Sequence, residues 1–384
     1  MLARIPWSET DDFGSVRDRD KLVVRDYTRP VWDLARSARA GRNQVRRTLY
    51  RFVFGAVLAA CSVGLAVVAT QADTLLVAVK SDFKLALVDP ATNKVIAKVP
   101  TDQGPHEIAV TPDHRFAYVS NYGVYEVFPA GNQTHDKTGD TVTIVDLVHH
   151  TVKKTLNFGT HTGPHGMAFS HDGKLLWMTA ETPPVLLEID TASGKILRSW
   201  ETHQERTHLI VVMPDEKKIY LTNTISGTLT VLNRETGAQK VIATGPRSEG
   251  IAMSPDAREV WVADRGDSVI RVISTASDEI VASFPSGGKS PLRMRFTPDG
   301  SQVWISNVDS KQVSVFDAAK RSLLATISID GGPQGMVFSA DGKRAYFAVS
   351  NANQVTIMDV PGRKVLGTIN VGTEPDGIAW VPTP

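Results

Sequence analysis

The strongest constraint on this chain is internal repetition. Aligned on a turn aspartate, the segments TPDH (Asp113), SHDG (Asp172), MPDE (Asp215), SPDA (Asp256), TPDG (Asp299) and SADG (Asp341) follow at intervals of 59, 43, 41, 43 and 42 residues. A period of this size marks units that cannot bury their apolar faces alone and must stack. Each unit reads G-[IM]-A-x-[ST]-P-D-G, followed by an aromatic strand such as AYVSN or VWISN. A third run such as TVTIVD or QVTIMD and a last one such as KVLGTINVG complete it. These short runs alternate β-branched or aromatic side chains with polar ones, the period of a half-buried strand. The P-D-G segments between them are tight-turn chemistry, Pro presetting φ and Gly accepting positive φ. Four antiparallel strands of this length make one blade of a β-propeller.

Counting blades predicts closure. Six marked repeats begin at Glu107, Gly166, Leu209, Gly250, Arg293 and Gly335. Before them, Leu75–Pro100 supplies only the second to fourth strands of a blade; after them, GIAWVP (Gly377–Pro382) supplies a lone first strand. The fragments complete one another, which predicts an all-β, seven-bladed propeller closed by pairing of the C-terminal strand with the N-terminal blade.

Upstream of the repeats the composition changes. Six arginines and no acid fill residues 36–51, an eighteen-residue apolar run follows (Phe52–Ala69), and Thr70-Gln71-Ala72 ends it with small residues. That order is the pattern of a secretory signal cleaved after Ala72. An uncleaved anchor is the alternative, because eighteen apolar residues just span a bilayer; a lipoprotein at Leu58-Ala59-Ala60-Cys61 is a third reading. The expected organisation is therefore a disordered or over-long start (1–45), a signal or anchor (46–72) and the propeller (73–384), in a protein exported to the periplasm or cell surface. Cys61 is the only cysteine, so the propeller has no disulfide and no thiolate ligand, and any metal site in it uses His, Asp, Glu or amide donors. With 42 basic and 41 acidic residues the chain carries no global charge suited to nucleic acid.

Tyr118-Val119-Ser120-Asn121, Tyr220-Leu221-Thr222-Asn223 and Trp304-Ile305-Ser306-Asn307 resemble the signature of the YVTN-family β-propellers, and VTIVD (Val142–Asp146) and VTIMD (Val355–Asp359) match that family's next strand. The resemblance covers residues 75–384 and implies the propeller fold. It leaves function open, because such propellers include binding modules, haem or quinone enzyme domains, lactonases and surface proteins.

Function is sought where the innermost strands begin, at the mouth of the central channel. The residue expected just before each inner strand is His106, His165, His208, Glu249, Leu292, Gln334 and Asp376 in turn. Three imidazoles and a carboxylate in successive blades form a ligand set for zinc, copper or iron. The 59-residue spacing comes from an insertion, Tyr122–Gly139, predicted to form a lid with Tyr122, Tyr125 and His135 as contacts. Three residues after the ring position most blades carry Ala or Val, but one carries Arg295, with Arg293 two residues before it. These arginines imply either an internal pair with a carboxylate or a site for an anionic ligand. Gln334 and Asp376 complete the candidate ligand-binding set.

The sequence contains no G-x-S-x-G, P-loop, H-E-x-x-H or C-x-x-C-H motif. Related to the fold is the haem domain of cytochrome-type nitrite reductases, which uses funnel histidines, although its haem-attaching sequence is not found here. The expectation is an exported propeller binding a metal ion or small ligand through His106, His165, His208 and Glu249. A metal- or cofactor-dependent oxidoreductase or lactonase-type hydrolase is the alternative, and a scaffold for a protein partner the third.

Overall fold

Seven four-stranded antiparallel sheets account for the repeats. The computed structural model describes residues 73–124 and 137–383; the predicted export segment, the stretch before it, and Tyr125 and His135 of the insertion lie outside the described residues. Six sheets each use four consecutive strands, with inner strands Pro105–Val110, Thr162–Phe169, Thr207–Val212, Ser248–Met253, Pro291–Phe296 and Pro333–Phe338. The seventh takes its inner strand, Pro375–Val381, from the C-terminus and its other three, Thr74–Val79, Lys84–Asp89 and Lys94–Pro100, from the start of the repeats. Leu76 pairs with Ala379 and Val77 with Ile378, so the closure expected from the two fragments is the one observed. Among the described residues no helix is long and apolar enough to cross a membrane.

The repeat motif has a physical explanation. Trp177, Trp261 and Trp304, the aromatic of the second strand, are fully buried between blades, and an aromatic of this size removes some 150–250 Å² from water. The turn aspartates hold the hairpins: Asp113 Oδ1 accepts from Thr111 Oγ1 and from the Arg115 backbone N–H, and Asp299 does the same with Thr297 and Ser301. The asparagine that closes the second strand ties it to the third. Asn121 Nδ2 donates to Thr141 and Thr143 at 3.0 and 2.9 Å, Asn223 Nδ2 to Thr228 and Thr230 at the same distances, and Asn307 Nδ2 to Ser314 at 2.9 Å.

The inner strands carry a feature that periodicity alone does not reveal. In every blade the ring residue and its successor together oppose a single residue of the second strand: His106 and Glu107 face Ser120, His165 and Gly166 face Thr179, and His208 and Leu209 face Thr222. This is a β-bulge, which kinks a strand and re-aims its side chains. The ring residues are therefore the second residue of the inner strand or lie just inside it, not the residue preceding it as the sequence suggests. Hydroxyls opposite the bulge satisfy the freed N–H groups. Thr179 Oγ1 accepts from Gly166 N at 2.9 Å and donates to the carbonyl of His208 in the next blade at 2.5 Å; Thr222 links Leu209 N to the carbonyl of Glu249 in the same way, at 3.2 and 2.9 Å.

Close approach of the blades completes the design. The residue after the ring position is glycine in four blades, Gly166, Gly250, Gly335 and Gly377. A Cβ on Gly377 would lie 1.8 Å from the carbonyl oxygen of His106, and one on Gly335 2.3 Å from that of Asp376. Only a bare Cα lets neighbouring inner strands come this near.

Candidate functional site

The bulges and the blade-to-blade bonds bring three histidines into contact. The rings of His165 and His208 lie 3.6 Å apart centroid to centroid, and those of His106 and His165 lie 4.4 Å apart. Tyr122, the first residue of the insertion, packs edge-on against both His106 and His165, at 5.2 Å from each. His165 sits in the middle of this stack with no solvent exposure. Neither of its ring nitrogens has a hydrogen-bond partner among the described residues, and His106 Nδ1 is likewise without one.

A circuit of charges surrounds the stack. His208 Nδ1 meets Glu181 Oε1 at 2.8 Å and its Nε2 faces Glu249 Oε1 at 3.5 Å. The hydroxyl of Tyr122 donates to the other oxygen of Glu181, with Arg206 Nε 3.4 Å away. Glu249 is held by Arg265 at 3.0 Å and by Arg293 at 3.5 Å. Arg293 also reaches across to Glu107 at 2.7 Å. On the far side of the stack His106 Nε2 lies 3.4 Å from Asp376, which pairs with Lys80 at 2.6 Å.

These surroundings set the protonation states. Burial, reinforced by the charges of His208 and His106, holds the His165 imidazole well below its ordinary range, so it is neutral. Burial works in the same direction on His208, but bonds to Glu181 and Glu249 outweigh it and raise it. Desolvation would raise the partly buried Glu107, yet Arg293 and then His106 bring it down to about 2. Glu249 is held well below its usual range against its burial, chiefly by Arg265, and Asp376 is lowered against its burial by His106 and Lys80. A neutral, buried imidazole with neither nitrogen partnered among the described residues could donate a lone pair to a Lewis acid.

The structure thus places the predicted residues unevenly. His106, His165, His208 and Glu249 form one cluster, but the atoms that converge within 4.8 Å of one another are those of His106, Glu107 and His165. His208 is engaged by Glu181 and Glu249 instead. Tyr122 and Asp376 belong to the cluster, whereas Leu292 and Gln334 hold the equivalent place in their blades without a side-chain bond to it among the described residues. Of the two readings offered for the arginines, the internal pair describes Arg293. It does not describe Arg295, whose Nε donates to the Met336 carbonyl at 2.7 Å.

Sequence reasoning passed over Lys80, Glu107, Glu181, Arg206 and Arg265. Glu107 and Arg293 had a legible signal, since they stand in the slot that is glycine in four other blades and meet as a bridge across the channel. Lys80, Tyr122, Glu181 and Arg265 share another register position, one residue beyond the second-strand residue that pairs with the residue before the ring position. This second circle of residues interleaves with the first, and comparing the repeats at that position would have found it.

Below the Glu107–Arg293 bridge a channel of about 490 Å³ runs to the opposite face, between the turns at Pro255 and Pro298. Its wall includes Ile108, Met167, Val211, Met253, Arg295 and Ile378.

Comparison with known proteins agrees with this architecture. The model of the family described as "Lactonase, 7-bladed beta-propeller" matches residues 208–328. Protein NirF of Stutzerimonas stutzeri is 36% identical over 72 residues, which are 18% of each chain, so the likeness spans a small part of that relative's length. Among solved structures, hydrazine synthase of Kuenenia stuttgartiensis superposes with a TM-score of 0.62 at 21% identity, over 73% of this chain and 90% of that one. A functionally unknown protein from Desulfotomaculum acetoxidans DSM 771 gives 0.67 at 14%, over 81% and 99%. The dihydro-heme d1 dehydrogenase NirN in complex with DHE gives 0.57 at 17%, over 80% and 76%. At these identities the structural likeness establishes the fold: the chain is a seven-bladed β-propeller, similar over one segment to the lactonase-type propellers.

Proposed function

We propose that this chain is an exported, YVTN-type propeller that holds a transition metal, or the metal of a small macrocyclic ligand, at His165. The observation that carries the reading is the buried His165 imidazole with neither nitrogen partnered among the described residues. A buried polar atom left unbonded costs about 1–3 kcal/mol, and a metal–nitrogen bond removes that penalty. For a bare ion, His106 and Glu107 would complete the set with His165. The likeness to NirN, a dihydro-heme d1 dehydrogenase solved in complex with DHE, favours a haem-type ligand over a bare ion, and His165 would hold its metal.

A bound metal of either kind supplies Lewis-acid or one-electron chemistry. The chain's own residues supply the remainder. Burial keeps His165 neutral and able to donate its lone pair. Glu181 fixes the orientation of His208 through Nδ1 and anchors Tyr122 at the base of the insertion. Arg293 and Arg265 hold Glu107 and Glu249 ionised. Export rests on the Arg-rich and apolar pattern of residues 36–72. A second reading, a lactonase-type hydrolase, is favoured by the family match over 208–328, the segment that carries His208, Glu249, Arg265 and Arg293. Titration of the purified propeller with Co(II) and, separately, with haemin tests the first reading. It predicts a saturable absorption change that is lost in His165→Ala and kept in His171→Ala, an exposed histidine of the opposite face.

A further inference from the structure

Arg295 stands alone among seven equivalent positions. The other blades place Ala109, Ala168, Val211, Ala252, Val337 and Ala379 there, small apolar residues, of which Val211 and Ala252 line the channel. Arg295 lines it with a guanidinium whose Nε is bonded to the Met336 carbonyl. Among the described residues its two terminal nitrogens make no hydrogen bond and no ion pair. Arg293, two residues earlier on the same strand, shows what compensation looks like: Glu107 and Glu249 both pair with it, and their charges raise it against burial. Arg295, by contrast, is exposed within the channel. Six of the seven blades do without a cation at this place, so the guanidinium is not something the fold requires.

The chemistry of the wall defines what would meet that cation. The terminal donors of Arg295 form a planar fork that matches a single carboxylate group, and the carboxylate already on the channel wall, Glu107, is held by Arg293. Met167, Val211, Met253 and Ile378 offer an apolar lining for the rest of a small molecule, and the volume of about 490 Å³ is that of an ordinary ligand pocket. The Glu107–Arg293 bridge separates this space from the histidine stack, and the lining at Pro255 and Pro298 places its mouth on the opposite face. We infer that the lower channel is a second binding site, distinct from the histidine cluster, for a small organic carboxylate whose acid group pairs with Arg295.

Isothermal titration of the full propeller with hexanoate tests this, with hexanamide as the neutral analogue of the same shape. Saturable binding of hexanoate is expected, weakened at least roughly tenfold in Arg295→Ala, the magnitude of a lost charge-assisted hydrogen bond. Arg295→Ala installs the residue that four other blades already carry, so it should fold as the wild type does, and an unchanged melting temperature checks that. His165→Ala should leave hexanoate binding intact, which keeps this outcome separate from that of the histidine site. The inference is overturned by the absence of saturable hexanoate binding, by equal binding of hexanamide, by binding that survives Arg295→Ala, or by binding that His165→Ala abolishes.

Discussion

Substituting Gly377 by Ala tests whether close approach of inner strands builds the site. The new Cβ would sit 1.8 Å from the His106 carbonyl oxygen and 2.9 Å from its carbon. An ordinary carbon–oxygen contact is about 3.3 Å, so two neighbouring inner strands must part by well over an ångström. The obstructing atom is backbone, held in a four-stranded sheet, and cannot swing aside as a side-chain end would. Overpacking a well-filled site costs typically 1–3 kcal/mol; with a backbone obstacle the loss should reach about 3 kcal/mol. The matched control is Gly367→Ala, where a Cβ meets nothing within 4 Å and neither glycine has a positive φ. There the change should be neutral or stabilising by up to about 1 kcal/mol, through the unfolded chain. Urea unfolding followed by tryptophan fluorescence reads both, since Trp177, Trp261 and Trp304 are fully buried. If Gly377→Ala unfolds within about 0.5 kcal/mol of wild type, or Gly367→Ala loses as much, the close-approach explanation fails.

Three further outcomes follow from the ion pairs and the hydroxyl bridges. Arg293→Met removes the group that sits between Glu107 and Glu249, leaving the partly buried Glu107 without its cation while Glu249 keeps Arg265, and should cost roughly 2–3 kcal/mol in urea unfolding; a loss under about 1 kcal/mol would contradict the bridge. Glu188 accepts bonds from Trp177, Arg198 and Arg234, which outweigh its burial and lower its pKa. Its contribution to stability is therefore present above the unfolded glutamate pKa of about 4.3 and lost as pH falls through the lower folded value. The deficit of Glu188→Gln against wild type should be full at pH 7 and shrink below about pH 4; a deficit that grows on acidification refutes the assignment. Thr179→Val removes the hydroxyl that links Gly166 N to the His208 carbonyl. It should cost about 1–3 kcal/mol, and an unchanged unfolding midpoint would show that the bridge does not hold the blades.

How far the sequence reaches can be seen at individual positions. The blade count, the closing strand and the turn aspartates follow from local patterns: alternation of two, tight-turn residues and a fixed repeat length. The ring of His106, His165 and His208 was legible because repeats in register put equivalent residues at one end of the channel. That the rings touch was not, because it depends on bulges opposite Ser120, Thr179 and Thr222 and on glycines whose carbonyl neighbours belong to another blade. Glu181 escaped notice for a related reason. It lies 27 residues from His208 and its role comes from how two circles of side chains interleave, a property of the assembled ring and not of any one strand. Arg295 shows the converse, since its departure from the repeat was visible in the sequence but only the channel reveals that it lacks a carboxylate.

Whether His165 donates to a metal is read by spectroscopic titration. Co(II), a probe whose ligand-field bands report nitrogen coordination, is added to wild type, His165→Ala and His171→Ala, and haemin is tested in parallel. Wild type and His171→Ala should bind saturably, with affinity reduced about 10–100-fold or more when His165 is removed, at least the range seen for loss of groups that merely orient metal ligands. Identical titrations of wild type and His165→Ala with both probes would contradict a donor role for His165.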